Sequence, residues 1–165
     1  MKPEFINNFI VDKEHNTVNV TRTFTANKDL VWRTWTEPKL LDKWWAPQPW
    51  KSVTKSMEFK EGGRRLYAMV GPSGEEHWAF ADYTSINPRN SFCYSDGFCD
   101  SEGNRTESLP DSFWTVIFSE ADGVTKVHVE IKHKSLKDLE TIIEMGFKEG
   151  FMSCLEQLNE LLNNH

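Results

Sequence analysis

The chain has 165 residues, of which 38% are hydrophobic and 27% charged, proportions typical of a globular protein of one domain. The net charge of -6 argues against a nucleic acid or an anionic membrane surface as partner, because both attract basic proteins. No apolar run approaches the roughly 18 residues of a membrane span, so we expect no membrane insertion. The chain starts without a signal-peptide pattern, and its three cysteines lack a CxxC motif, so a cytoplasmic location is expected.

The first elements in chain order are a β-hairpin and two short helices. Residues 5–11 are apolar and residues 17–24 alternate between apolar and polar, with a polar turn between them, which predicts either two paired strands or one strand preceded by an arm. Asn27 is a suitable N-cap for a first short helix. Pro38 is suited to the first turn of a second helix, which carries an apolar face.

The central part of the chain alternates with a period of two and predicts about six antiparallel strands separated by Gly, Pro and Asn turns. We treat residues 1–165 as one domain, with a core at 17–163 and an N-terminal arm or extra strand at 1–16. With the N-terminal strand, the sheet has about six to seven strands. The central strands are predicted at 53–59, 65–69, 77–86, 91–98, 113–119 and 124–132.

The C-terminal region predicts one long amphipathic helix, from Ser135 to Asn164. Ser135 is a suitable N-cap, and apolar residues recur every three or four positions along one stripe. Gly146 and Gly150 lie at the edge of this stripe, where each costs about 1 kcal/mol relative to alanine. Two explanations stay open: the backbone packs closely against a neighbour, or there is empty space beside it.

This order of elements predicts an α+β protein. An antiparallel meander has one apolar face to cover, and the C-terminal helix is the one element long enough to cover it. A twisted sheet curled around a long helix leaves a gap near the two short helices. We therefore expect a hydrophobic cavity between the sheet and the helix.

Several short segments, taken in order and spacing, resemble a known family. They are Thr21-Arg22-Thr23-Phe24, Leu30-Val31-Trp32, Trp35-Thr36-Glu37-Pro38, Trp44-Trp45, Glu58-Phe59-Lys60-Glu61-Gly62-Gly63, Met69-Val70-Gly71-Pro72-Ser73-Gly74 and Gly150-Phe151. The chain resembles the family related to the C-terminal domain of the activator of Hsp90 ATPase, within the START-like (Bet v 1-like, helix-grip) superfamily. It departs from that pattern at Glu61, where relatives usually have proline, and at Phe151, where many have tryptophan.

The resemblance implies a helix-grip fold with an apolar cavity between the sheet and a long C-terminal helix. Members of the wider superfamily bind lipids, hormones or aromatic polyketides, and some are cyclases. A small apolar or aromatic molecule is thus the expected partner, and no cofactor is expected. The co-chaperone role belongs to a longer protein with an additional N-terminal domain, so a chaperone partner has weak support, and a homodimer stays open.

Aromatic residues are the main candidates for the lining of this cavity. The chain contains seven Trp and eleven Phe, and Trp and Tyr carry polar groups that can orient a ligand. A solid core is the competing explanation for many of them. The ten candidate cavity residues are Trp35, Trp44, Tyr67, Met69, Tyr83, Tyr94, Trp114, Phe147, Gly150 and Phe151.

Candidates for metal binding and acid–base chemistry are few. His128 and His133 are five positions apart in or beside a strand, so they face opposite ways, and no metal site is expected. Asp82 lies in an aromatic strand and could act as an acid or base if buried, although an outward position is the favoured interpretation. Arg65 could bind a ligand carboxylate, but a position at the rim of the sheet is preferred.

Three functions stay open, led by the binding of a small hydrophobic molecule in the cavity. The second is a cyclase-like or hydrolase-like enzyme that uses Asp82, Tyr83 or His77 in the same cavity. The third is a chaperone-linked interaction module with an exposed aromatic surface. A buried, paired polar residue in the cavity favours the enzyme, whereas a filled core with a large apolar outer patch favours the module.

Overall fold

The computed structural model describes residues 5–164 of the chain. Its strands form one antiparallel sheet, which confirms the α+β class and contains slightly more strands than the six to seven predicted. The strands are β1 (Asn7–Asp12), β2 (Thr17–Phe24), β3 (Lys51–Met57), β4 (Arg64–Val70), β5 (Glu76–Asn87), β6 (Ser91–Cys99), β7 (Ser112–Ala121) and β8 (Val124–His133). Their order across the sheet is β1-β2-β8-β7-β6-β5-β4-β3.

The helices lie at two places in the chain, α1 (Lys28–Thr36) and α2 (Pro38–Leu41) after β2, and α3 (Leu136–Glu144) and α4 (Phe147–Asn163) after β8. Both predicted N-caps are present. The Leu30 backbone N–H donates to Asn27 Oδ1 at 2.8 Å. The Asp138 backbone N–H donates to Ser135 Oγ at 3.1 Å, so α3 begins where the sequence pattern indicates.

The predicted N-terminal arm contributes an extra edge strand. Residues 7–12 form β1 and pair with β2, where Phe9 lies opposite Val20. The inner face of β2 buries Val18, Val20 and Phe24, as its alternation predicts. Residues 1–4 of the arm lie outside the described part of the chain.

The C-terminal helix is interrupted, so the prediction of one continuous helix from Ser135 to Asn164 is wrong. Gly146 has φ +91°, a left-handed conformation that ends α3 and places Gly146 at the N-cap of α4. The Gly146 N–H donates to Ile143 O at 3.0 Å, and the Gly150 N–H donates to Gly146 O at 3.0 Å, closing the first turn of α4. The apolar stripe continues across this break, which explains why periodicity alone predicts one helix.

Candidate ligand cavity

A cavity of about 280 Å³ lies between the inner face of the sheet and the junction of α3 and α4. Strands β4 to β8 form its floor, and Trp45 and Pro47, in the loop after α2, close one side. The break at Gly146 leaves a gap above the sheet that a straight helix would cover with side chains. The cavity therefore lies beside the helix interruption, and Trp45 and Pro47 place it also next to the loop that follows the second short helix.

Three aromatic rings form the apolar wall. Phe147 and Phe151, one helical turn apart, are stacked with ring centroids 5.3 Å apart and planes at 12°. The Trp114 ring meets both edge to face, at 5.9 Å from Phe147 and 5.3 Å from Phe151. These contacts fix the ring orientations on this side of the cavity.

Gly150 explains part of the free space. It lies in α4 beside the cavity, and a Cβ atom there would meet only Pro47 Cγ at 3.8 Å, an ordinary van der Waals contact. Close packing against the sheet thus does not require this glycine. The cavity explanation fits Gly150, whereas Gly146 is explained by its left-handed backbone.

The loop after α2 is fastened to α4 by one glutamine. Gln157 Nε2 donates to Ala46 O at 2.8 Å and to Trp44 O at 3.3 Å, and the Gln48 backbone N–H donates to Gln157 Oε1 at 2.9 Å. Three hydrogen bonds to one side chain hold Trp45 and Pro47 against the cavity.

Tyr67 is held on the floor by a polar cluster. Trp45 Nε1 donates to the Tyr67 hydroxyl at 3.0 Å, and the Arg65 guanidinium lies over the Tyr67 ring at 3.9 Å. Arg65 itself is buried and paired with Asp42 at 3.3 Å and with Ser52 Oγ at 2.9 Å, so the preferred position at the sheet rim is wrong. Burial raises the pKa of Tyr67 to about 12, so its phenol is neutral at pH 7.

A row of polar side chains forms the other end of the cavity. In the register of the sheet, Asp96 lies opposite Ser112, and Ser112 lies opposite His133. All three share the inner face, because neighbouring Cβ atoms in such a row are about 4.5–5.5 Å apart and point the same way. Ser112 Oγ donates to Asp96 Oδ1 at 2.5 Å and accepts from Trp114 Nε1 at 3.2 Å.

The end of this row is unusual because His133 is only 3% exposed and neither ring nitrogen has a hydrogen-bond partner among residues 5–164. Burial lowers the pKa of His133, opposed by the nearby Asp138 carboxylate, so the imidazole is neutral at pH 7. Burial raises the pKa of Asp96 to about 6, although its hydrogen bonds with Ser112 and Trp114 lower it. The cavity is thus apolar along its walls and polar at one end.

The predicted cavity residues divide into three groups. Tyr67, Met69, Trp114, Phe147, Gly150 and Phe151 line the cavity. Trp35, Tyr83 and Tyr94 surround a separate void of about 20 Å³, roughly the space of one water molecule. Trp44 is fully buried in solid core, with its Nε1 donating to Thr34 O at 2.9 Å, so it lines neither space.

Asp96, Ser112 and His133 are the polar residues that sequence reasoning missed. For His133 a signal was present, because the alternation that turns Val129 and Ile131 inward continues two positions further to His133. The same signal was present for Asp96, two positions after the inward Tyr94, and for Ser112, two positions before the inward Trp114.

The residues predicted for catalysis do not converge. Asp82 lies on the outer face and pairs with Arg64, with Arg64 Nε 2.5 Å from Asp82 Oδ1, as the outward interpretation predicts. His77 is exposed and packs against Trp50 at 5.2 Å between ring centroids. Burial raises the pKa of Tyr83, whose ring lies in the aromatic core away from both. None of these three alternative acid–base residues lines the cavity.

Two further observations concern the described residues alone. Between residues 5 and 164, no three His, Cys, Asp or Glu side chains are grouped as a metal site would require. Within the same range, no helix combines the length and the apolar character needed to cross a membrane.

An antiparallel sheet that holds a C-terminal helical segment over a cavity defines the helix-grip class of α+β proteins. Residues 25–163 match the family described as Activator of Hsp90 ATPase homolog 1-like protein. Because this match covers most of the chain, the protein belongs to that family, which confirms the resemblance seen in the sequence. No protein of curated function matches the sequence.

Solved structures from bacteria show the same fold. A crystal structure from Mycobacterium smegmatis is 30% identical, with a TM-score of 0.87 over 94% of this chain and 95% of that one. A solution structure from Arthrobacter aurescens is 26% identical, with a TM-score of 0.91 over 96% and 92% of the two chains. A solution structure from Staphylococcus epidermidis is 28% identical, with a TM-score of 0.82 over 93% of each chain. These matches support the fold.

Proposed function

We propose that this protein binds one small, mostly apolar molecule in the cavity beside the α3–α4 junction. The observation that carries the proposal is an aromatic-walled space of about 280 Å³ kept open by the break at Gly146 and by the missing side chain at Gly150. Its volume lies at the lower end of the roughly 300–1,000 Å³ typical of ligand sites. Proteins with this fold commonly bind hydrophobic ligands, which supports the proposal.

The size of the space sets the expected affinity. A two-ring hydrocarbon that buries about 200 Å² of apolar surface would gain about 5 kcal/mol. That free energy corresponds to a Kd of the order of 0.1–1 mM before any polar contact is made. Binding of simple probes should therefore be measured at concentrations that reach the millimolar range.

The test is a titration of 2-methylnaphthalene, followed by amide chemical shifts in ¹H–¹⁵N NMR spectra. We expect 1:1 saturation with shifts grouped around Trp114, Phe147 and Phe151. Gly150→Leu should fill the space and abolish the shifts while the fold is kept. Glu160→Leu adds the same side chain at an exposed position of the same helix and should bind as the parent does.

Two results would contradict the proposal. One is saturable binding that is unchanged by Gly150→Leu, which would place the ligand elsewhere. The other is the absence of any shift with a panel of apolar probes of one to three rings, which would mean that the space is not a binding site.

The enzyme alternative retains one supporting observation, the Asp96–Ser112 hydrogen bond within the cavity. A carboxyl group with a pKa near 6 is suited to acid–base work at neutral pH. If the cavity hydrolyses a small aromatic ester such as 2-naphthyl acetate, Asp96→Asn should reduce the turnover at least 100-fold. Unchanged turnover in that variant would remove Asp96 from any such reaction. The chaperone-linked module and the homodimer stay predictions.

A further inference from the structure

The starting observation is the pair of unpartnered nitrogens on His133. Buried polar side chains in proteins nearly always have a hydrogen-bond partner, because leaving one unmatched costs free energy. His133 is 3% exposed, lies on the cavity lining, and has no partner for Nδ1 or Nε2 in the described part of the chain. An occupant of the cavity can supply what the protein does not.

The hydrogen-bonding groups of the imidazole restrict the chemical class of the ligand that could occupy the cavity. A neutral histidine carries its N–H donor on one ring nitrogen and its acceptor on the other, and the two point apart, so one ligand oxygen can pair with only one of them. A hydroxyl group can pair with either nitrogen, because it both donates and accepts, whereas an ionised carboxylate can only accept from the N–H. Burial favours the neutral imidazole, as the lowered pKa of His133 indicates.

The charges around this end of the cavity disfavour an anion. Asp96 lies two strands away in the same row, and Asp138 on α3 acts electrostatically on the ring. Two cations near this end of the sheet are paired with another acid, because Lys134 Nζ lies 3.1 Å and Arg105 Nη2 3.3 Å from Asp111 Oδ1. A ligand carboxylate would meet the negative charges of Asp96 and Asp138 at this end of the cavity.

We propose that His133 is the polar anchor of the cavity and that its ligand is a neutral, ring-bearing alcohol or phenol whose hydroxyl group hydrogen-bonds to the imidazole. This inference rests on the proposed function and adds the chemical class of the ligand. The rings lie against Trp114, Phe147 and Phe151, and the hydroxyl group faces the row of Asp96, Ser112 and His133.

The same row does not form a Ser-His-Asp nucleophilic triad. In such a triad the histidine accepts the serine proton and the carboxylate orients the histidine. Here Ser112 Oγ donates directly to Asp96 and accepts from Trp114, while His133 is bonded to neither residue. The arrangement fixes Ser112 and leaves His133 available for recognition.

The test compares three probes of one ring system: 2-naphthol, 2-methylnaphthalene and 2-naphthoate, each at pH 7.5. We expect 2-naphthol to bind at least 10-fold more tightly than 2-methylnaphthalene, and 2-naphthoate to bind more weakly than either. The ring ¹⁵N signals of His133 should move on addition of 2-naphthol and stay nearly unchanged with 2-methylnaphthalene. This spectroscopic signature reports the hydrogen bond itself.

Variants at position 133 supply the control on structure. His133→Leu should reduce the affinity for 2-naphthol about 10-fold and leave that for 2-methylnaphthalene equal or higher. His133→Gln keeps a donor and an acceptor and should retain part of the preference for 2-naphthol. His77→Leu changes an exposed histidine outside the cavity and should leave all three affinities unchanged.

The outcomes separate this inference from the function on which it rests. If none of the probes binds, the proposed binding function fails. If 2-methylnaphthalene binds as tightly as 2-naphthol and His133→Leu affects both equally, the cavity binds apolar molecules and the assignment of His133 is wrong. If 2-naphthoate binds best, the ligand is an anion and the argument from charge is overturned.

Discussion

Two regions of the protein interior are both rich in aromatic residues, but one is filled by side chains and the other contains a cavity. The first, which we term the solid half, contains Trp35, Trp44, Phe92 and Phe118, with ring centroids 4.8 Å apart for Trp35–Trp44 and 6.0 Å for Phe92–Phe118. The second, the hollow half, contains Trp114, Phe147, Phe151 and His133 around the cavity of about 280 Å³. Aromatic content alone therefore does not decide whether a core is filled.

The backbone above the sheet makes the difference. In the solid half, α1 is unbroken and Trp35 and Trp44 insert between it and the sheet, where both are at most 2% exposed. In the hollow half, the left-handed Gly146 interrupts the helix and Gly150 adds no side chain. The break between α3 and α4 leaves a space above the sheet that the side chains of the sheet do not fill. The following predictions test this contrast, from the largest effect to the smallest.

Removing a ring should cost much more in the solid half than in the hollow half. Trp44→Ala should lower the free energy of unfolding by about 3–5 kcal/mol, because a fully buried ring leaves a new cavity. Phe147→Ala removes a half-buried ring beside existing space and should cost about 1–2 kcal/mol. Urea unfolding followed by circular dichroism measures both. Equal costs would mean that the two halves are packed alike.

The carboxyl group in the hollow half should weaken the fold at neutral pH. The pKa of Asp96 is raised from 3.8 to about 6 by burial, so the folded state holds its proton more tightly than the unfolded state. Wild-type stability should therefore fall as the pH rises from about 4 to about 6. Asp96→Asn should be more stable than wild type by about 3 kcal/mol at pH 7. The difference should vanish near pH 4, and a constant difference across this range would contradict the assignment.

The helix break should depend on the backbone of Gly146. Among residues 5–164, no heavy atom beyond Gly146 and its chain neighbours lies within 4 Å of the position that a Cβ would occupy, so Gly146→Ala tests backbone strain and not steric fit. At φ +91° we expect a loss of about 1–2 kcal/mol in the free energy of unfolding. Gly146→Asn should lose less, because asparagine tolerates left-handed conformations better than alanine. Greater stability in the alanine variant would show that the helix can continue through position 146.

The smallest effect is expected at Gly150, where the backbone is helical. Gly150→Ala should raise stability by up to about 1 kcal/mol, because alanine favours the helix and its Cβ meets only Pro47 at 3.8 Å. Thermal unfolding with the parent as reference detects this change. A loss of stability would indicate that α4 packs more tightly there than the free space suggests.

These contrasts also show how far the sequence predicts the molecule. Alternation and capping residues predict the hairpin, the short helices and most strands, because these signals are local. The left-handed state of Gly146 is not predictable, since a glycine within an apolar stripe is equally compatible with an unbroken helix. The row of polar side chains in the cavity is even harder to predict from the sequence. Asp96, Ser112 and His133 come together through the pairing of β6 with β7 and of β7 with β8, and alternation within a single strand does not determine that register.

The most direct test of the central claim uses the indole N–H signals of four tryptophans as separate reporters, assigned by Trp→Phe substitution. On titration with 2-naphthol, the signals of Trp45 and Trp114 should shift, because both rings line the cavity, and those of Trp35 and Trp44 should stay nearly fixed. Comparable shifts of all four signals, or none at Trp45 and Trp114, would contradict the account of a hollow half that binds a ligand beside a solid half that does not.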